Sequence, residues 1–399
     1  VNVDALDWFR TTPLALASGM VWGRDPAALP LPAAPPGLTA RAALEAAMVR
    51  ALHRPPCVVS FSGGRDSSAV LALATHVARR EGLPLPIPIS LRFPGCEAAN
   101  EDSWQELVVR HLGISDWIKL VMADELDNLG PYARAVLERH GVLWPSNAHS
   151  QLPIAEQAPG GTLLTGFGGD ELFTISPVWR RINQVLAGQV PWVPRDALRL
   201  AAAYGPAPLR RAVVRRWLAD APPCPWLHSD AQRELAMIAV QDVVAVPVRW
   251  DVGMDTGWWR LRYRSIAEAS IACIAGMHDV AVCHPLTDSF VVSAIAREGG
   301  RVGFPSRTAA MQHIVGDLLP EQVTARTSKA ALTGAFWNRY STAFAASWDR
   351  TGVDPEIVDV EVLHRMWTAA EHPPDARTFP LLQSSWLASR PLADTESSG

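Results

Sequence analysis

Two short stretches of the chain carry residues that chemistry can use. "VVSFSGGRDSSAVLALA" (58–74) runs from an apolar segment into Ser-Gly-Gly, then an Asp and two serines, then a helical pattern. "GTLLTGFGGDELF" (161–173) repeats the plan with three glycines in its turn, then Asp170 and Glu171. A Gly-rich turn between strand and helix exposes backbone N–H groups, and the helix N-terminus adds partial positive charge. Such a turn cradles phosphate. Ser60, Ser62, Gly63, Gly64, Ser67 and Ser68 offer hydroxyls and amides around one pyrophosphate, with Gly168 and Gly169 in the second loop. No Lys follows the second Gly, so the first loop is not the phosphate loop of kinase-like NTPases. A carboxylate beside phosphates calls for a divalent cation between them. Asp66 and Asp170 therefore read as Mg²⁺ ligands. The plainer alternatives are an ordinary strand-turn-helix for the first stretch and an acidic N-cap for the second.

Positioning these loops requires strands that end at one place. "CVVSF" (57–61), "LPIPISLRF" (85–93), "WIKLV" (117–121) and the start of 161–173 read as strands. Between them, 39–54, 67–80 and 101–113 have helical spacing, with Thr39 as an N-cap and Gly113 as a stop. Alternation of this kind predicts a doubly wound, mostly parallel α/β sheet. After residue 173 the chain turns rich in Ala, Leu, Arg and Trp and reads as mainly helical. The expected division is a 1–38 segment ending in a Pro-rich linker, a 39–390 body and a polar 391–399 tail. Within that body, 39–173 reads as the nucleotide-binding α/β part and 174–390 as the mainly helical part.

Composition narrows the function. With 48% hydrophobic and 19% charged residues, the 399-residue chain is globular rather than disordered. Its net charge of −4 gives no basic field for nucleic acid. No apolar run is long enough for a membrane span, and the N-terminus lacks a signal-peptide pattern. The five cysteines are scattered without a CxxC pair, which argues against zinc and for a reducing, cytoplasmic setting. The run "LRRAVVRRW" (209–217) reads as a solvated helix face, and Trp250, Trp258 and Trp259 read as core.

Together "SFSGGRDSS" and "TGFGGDELF" resemble the synthetase domain of the asparagine synthetase B-type ATP pyrophosphatases. "HPLTDSFVV" (284–292) and "LLPEQVTARTSKAALTGAFW" (318–337) resemble two further segments of that superfamily, and the resemblance extends over the 39–390 body. Within it, "LRFPGCEAANEDSWQELVVRHLGISDW" and the "SKAALTGAFW" block look closest to the lasso-peptide macrolactam synthetases. The resemblance implies ATP and Mg²⁺, an acyl-adenylate, and amide formation with release of AMP. The partner it implies is a precursor peptide, alongside a protease and a leader-binding protein of the same pathway. An Asp or Glu side chain of that peptide would be activated and closed onto the peptide's own N-terminal amine. Lys329 matches the family lysine that stabilises transition-state charge, and Arg326 is a second catalytic candidate.

Three departures refine the resemblance. Asparagine synthetases carry Glu, and β-lactam synthetases Tyr, where this chain has Phe167. Phe cannot take a proton, so ammonia as acceptor is disfavoured and Phe167 implies a larger, partly apolar acceptor pocket. The family's Glu-x-Arg stands here as Ala281 and Cys283, which disfavours a free amino acid. The segment before residue 39 is too short for a glutaminase domain, so none is expected. Two rivals stay open: a small-molecule amide ligase of the same superfamily, and a silent nucleotide-binding partner of a maturation complex.

Overall fold

The computed structural model describes residues 10–173, 177–369 and 373–390. Its centre is a five-stranded parallel sheet in the order β3-β2-β1-β4-β5. The strands are β1 (Cys57–Ser60), β2 (Ile87–Arg92), β3 (Ile118–Val121), β4 (Thr162–Leu164) and β5 (Ala281–Cys283). Parallel strands must be covered on both faces, and alternation along β1 and β4 shows how. Val59, Phe61 and Leu164 enter a core with the helices Ala40–Leu52, Arg65–Glu81 and Asp102–Leu112. Val58 and Leu163 point the other way, onto Ile154, Ala155 and Ala275.

The strand order reverses between β1 and β4. In an open α/β sheet, that switch point leaves a crevice at the carboxyl ends of the two strands. Both Gly-rich loops leave from those ends, so the topology brings together what the sequence holds far apart.

The expected helices form with their signals in place. Thr39 caps Ala40–Leu52, its hydroxyl accepting from the Ala42 amide at 3.1 Å. Gly113, with φ of 58°, ends Asp102–Leu112. The second half is helical, but it also contributes β5, a strand the pattern missed; three residues give periodicity nothing to repeat. Trp250 and Trp258 are buried as expected, and Arg211, Arg215 and Arg216 form a solvated face of Ala207–Leu218.

The segment before residue 39 differs from a free linker. Residues 26–38 form no helix or strand, as their prolines dictate. They are nevertheless bound to the body. The Leu31 amide donates to Asp255 at 2.8 Å, and Arg297 donates to the Pro35 carbonyl at 2.8 Å. Residues 1–9 and the polar tail 391–399 lie outside the described residues. Among the described residues no helix is long and apolar enough to cross a membrane.

Candidate active site

A cavity of about 580 Å³ opens at the switch point, within the range of about 300–1,000 Å³ usual for small-molecule sites. Its first wall is the β1 loop. Gly63 adopts φ of 82°, a left-handed conformation that favours glycine, and a Cβ there would come 2.9 Å from Gln105 Cγ. The turn is tied internally: Gly64 N–H donates to Ser62 Oγ at 3.3 Å, and Ser67 Oγ donates to the Gly64 carbonyl at 3.1 Å. Gly64 then starts the helix Arg65–Glu81 without a side-chain cap. Its first-turn amides are left for another acceptor.

The β4 loop packs onto that helix start. A Cβ on Gly169 would fall 2.3 Å from Asp66 Cγ, so only glycine lets the loop close over the carboxylate. Asp66 and Asp170 are thereby brought to one cation. Arg307 donates from Nη2 to both Asp66 oxygens at 2.7 and 2.5 Å, and from Nη1 to Asp170 Oδ1. Lys329 Nζ donates to Asp170 Oδ2 at 2.7 Å. Burial, aided by the neighbouring Asp170 charge, pushes the Asp66 carboxyl above its usual range despite Arg307. Burial acts the same way on Asp170, but Lys329 and Arg307 outweigh it and leave that carboxyl low.

The cavity is lined by Ser60, Ser62, Gly64, Asp66, Ser67, Phe167, Asp170, Arg326 and Lys329, all named from sequence. Gly63, Gly168 and Gly169 shape the loops without lining the space. Ser68 is fully buried in its helix and does not reach the cavity. Glu171 is also outside it, its carboxyl pushed up by burial.

Arg326 is held on every side. It is 6% exposed, donates to the Gly63 carbonyl at 3.0 Å and to Glu101 at 2.6 Å, and stacks over Trp104 at 4.6 Å. This geometry fixes the Gly63 turn. Lys329 is different: its side chain is 80% exposed and, among the described residues, is tethered through Asp170 alone.

Arg307 has no sequence signal of its own. It is the first residue of the helix Arg307–Val315, capped by Ser306, and nothing near it resembles a motif. Only the fold shows that it spans the two carboxylates. Glu101, Trp104 and Gln105, which hold Arg326 and the β1 loop, lie in the 91–117 stretch that carries the resemblance, but only the fold shows what they hold.

The residues fit Mg²⁺ bound together with phosphates. Two carboxylates already share one positive group, and the uncapped helix N-terminus faces the same space. Among the described residues no cluster of three or more His, Cys, Asp or Glu could hold a metal alone. Phosphate oxygens would complete the coordination, as Mg²⁺ at nucleotide sites prefers.

The family model for asparagine synthase matches residues 39–387. No curated protein matches the chain. The match spans the sheet, both Gly-rich loops, Arg307 and Lys329, and the chain therefore belongs to the asparagine synthase family, a family of ATP-dependent, amide-forming ligases.

Proposed function

We propose that this protein is a macrolactam synthetase: it adenylates an Asp or Glu side chain of a ribosomal precursor peptide and closes it onto the peptide's N-terminal amine. The observation that carries the substrate choice is how much of the cavity lining is uncharged. Its charged lining comes from Arg65, Asp66, Glu101, Asp170, Arg307, Arg326 and Lys329. The other lining residues, among them Pro145, Asn147, Ser150, Gln151, Ile154, Phe167 and Ile271, carry no charged group. A free amino acid would bring an ammonium and a carboxylate needing partners there. A peptide segment brings amides and apolar side chains, which Asn147, Gln151 and Phe167 can meet.

In this reading Ser60, Ser62, Ser67 and the helix amides bind the pyrophosphate portion of ATP. Asp66 and Asp170 would hold Mg²⁺, which supplies charge neutralisation and orientation of the phosphates when bound. The substrate carboxylate attacks the α-phosphorus, and pyrophosphate leaves. Arg307 and Lys329 face the charge that develops on the phosphate and acyl oxygens. The amine then displaces AMP.

The test is mass spectrometry of candidate peptides incubated with the protein, ATP and Mg²⁺. Loss of one water, with the N-terminal amine no longer reactive, supports the reading. Amide formation on free aspartate and ammonium, with peptides untouched, replaces it with the small-molecule one.

A further inference from the structure

Amide formation makes one demand that the charged groups of the cavity do not meet. As the amine nitrogen bonds to the acyl carbon, it must shed a proton. The lining carboxylates are already engaged: Asp66 with Arg307, Asp170 with Arg307 and Lys329, Glu101 with Arg326. Among the described residues, no histidine lines the cavity. One lining hydroxyl, however, has an imidazole behind it.

Thr165 follows β4 and His284 follows β5. Parallel pairing of these strands sets the two residues side by side at the carboxyl end of the sheet. Thr165 Oγ1 lies 2.6 Å from His284 Nδ1 and accepts the Phe167 N–H at 3.2 Å. The threonine hydroxyl still has its own proton to give, and Nδ1 accepts it when the ring carries its proton on Nε2. The Phe167 ring, which lines the cavity, packs edge-on against the imidazole at 5.4 Å and shields it. Among the described residues His284 Nε2 is buried without a partner, so Thr165 makes the hydrogen bond that orients the ring there. Burial, with a contribution from the Arg264 charge, pushes the imidazole down to about 4, so the ring is neutral at physiological pH.

We propose that Thr165 is a catalytic residue for the amine half of the reaction and that His284 acts through it as the proton acceptor. The proposal rests on the amide-forming reading above. The amine nitrogen bonds to the acyl carbon, and the bond from that carbon to the phosphate oxygen breaks. AMP leaves with the electron pair. The amine proton passes to Thr165 Oγ1 as the threonine's own proton passes to His284 Nδ1. Burial disfavours the resulting imidazolium, which returns its proton through Thr165 to the departing AMP phosphate.

Two measurements on the full chain test this. The first needs no substrate: nitrogen-15 NMR of labelled histidine, with His284→Gln to assign the signal. The expected result is a bare Nδ1 with the proton on Nε2, and an Nδ1 signal that moves in Thr165→Val. A proton on Nδ1 overturns the relay. The second uses a pool of short synthetic peptides with a free N-terminus and one Asp or Glu, with ATP and Mg²⁺. ATP–pyrophosphate exchange reports adenylation, and loss of water from the peptide reports ligation. Thr165→Val and His284→Gln should lower the ratio of ligation to exchange by about 100-fold, and Thr165→Ser should restore it. Equal loss in both half-reactions marks a structural role and overturns the proposal. A wild type without exchange on any peptide sinks the peptide reading, and the tautomer then decides the relay alone.

Discussion

Arg307→Met isolates the charge at the centre of the site. The substitution keeps length and removes the guanidinium that donates twice to Asp66 and once to Asp170. Asp66 is left largely buried with its strongest counter-ion gone. Removing one partner of a buried pair costs about 3–5 kcal/mol. Here the low end applies, about 3 kcal/mol, because Arg307 and Asp66 keep 17% and 18% side-chain exposure. In a chain of this size that loss lowers the melting midpoint by roughly 3–6 °C. Equilibrium urea unfolding, read by the intrinsic fluorescence of the 16 tryptophans, measures it directly. The double variant Asp66→Asn with Arg307→Met should recover most of the loss, since no uncompensated charge remains there. Millimolar Mg²⁺ should also stabilise Arg307→Met more than wild type, because the cation replaces the missing charge. A variant within about 0.5 kcal/mol of wild type, inside the usual range for surface changes, would refute the reasoning. So would identical Mg²⁺ shifts in the two proteins.

Lys329→Ala should leave stability unchanged, since the side chain is 80% exposed, yet slow amide formation by about 10²–10³-fold. Comparing unfolding curves with turnover separates the two effects, and normal turnover removes the lysine from the mechanism. Gly169→Ala places a methyl 2.3 Å from Asp66 Cγ and should abolish Mg²⁺-dependent nucleotide binding, measured by calorimetry with a non-hydrolysable ATP analogue. Unaltered binding would mean that the β4 loop does not position Asp66. For His284 the folded imidazole sits at about 4, against about 6.5 in the unfolded chain. The unfolded chain takes up the proton first, so stability rises with pH across that window and is lost as pH falls through it. His284→Gln should flatten this acid limb by up to about 3 kcal/mol. If the stability difference between variant and wild type is the same at pH 4 and pH 7, the buried-neutral assignment is wrong.

What the sequence could reveal follows from how local each signal is. Both Gly-rich loops were legible because a strand, a phosphate turn and a helix start are contiguous. Their convergence on one cavity needed the fold. Lys329 was legible only through its resemblance. Arg307 was not legible at all: 241 residues separate it from Asp66, and it is an ordinary first residue of a helix until the fold closes. Thr165 and His284 fail the same way, since their meeting depends on β5, a strand too short to show alternation. Ser68 shows the opposite error. Its place in a motif suggested phosphate, but the turn of the helix carries it into the core. The prolines of 26–38 keep that stretch out of helix and strand. Composition alone could not say that its backbone is hydrogen-bonded to Asp255 and Arg297.

The most direct test of the central claim is the nucleotide product. The protein would be incubated with ATP and Mg²⁺ in three arms: leader-free peptides bearing an internal Asp or Glu, aspartate with ammonium, and buffer. The account predicts AMP and pyrophosphate only in the peptide arm, with AMP matching the water lost from peptide, and none from Asp66→Ala or Asp170→Ala. ADP and phosphate in any arm, or AMP at full rate from either Asp variant, would contradict it.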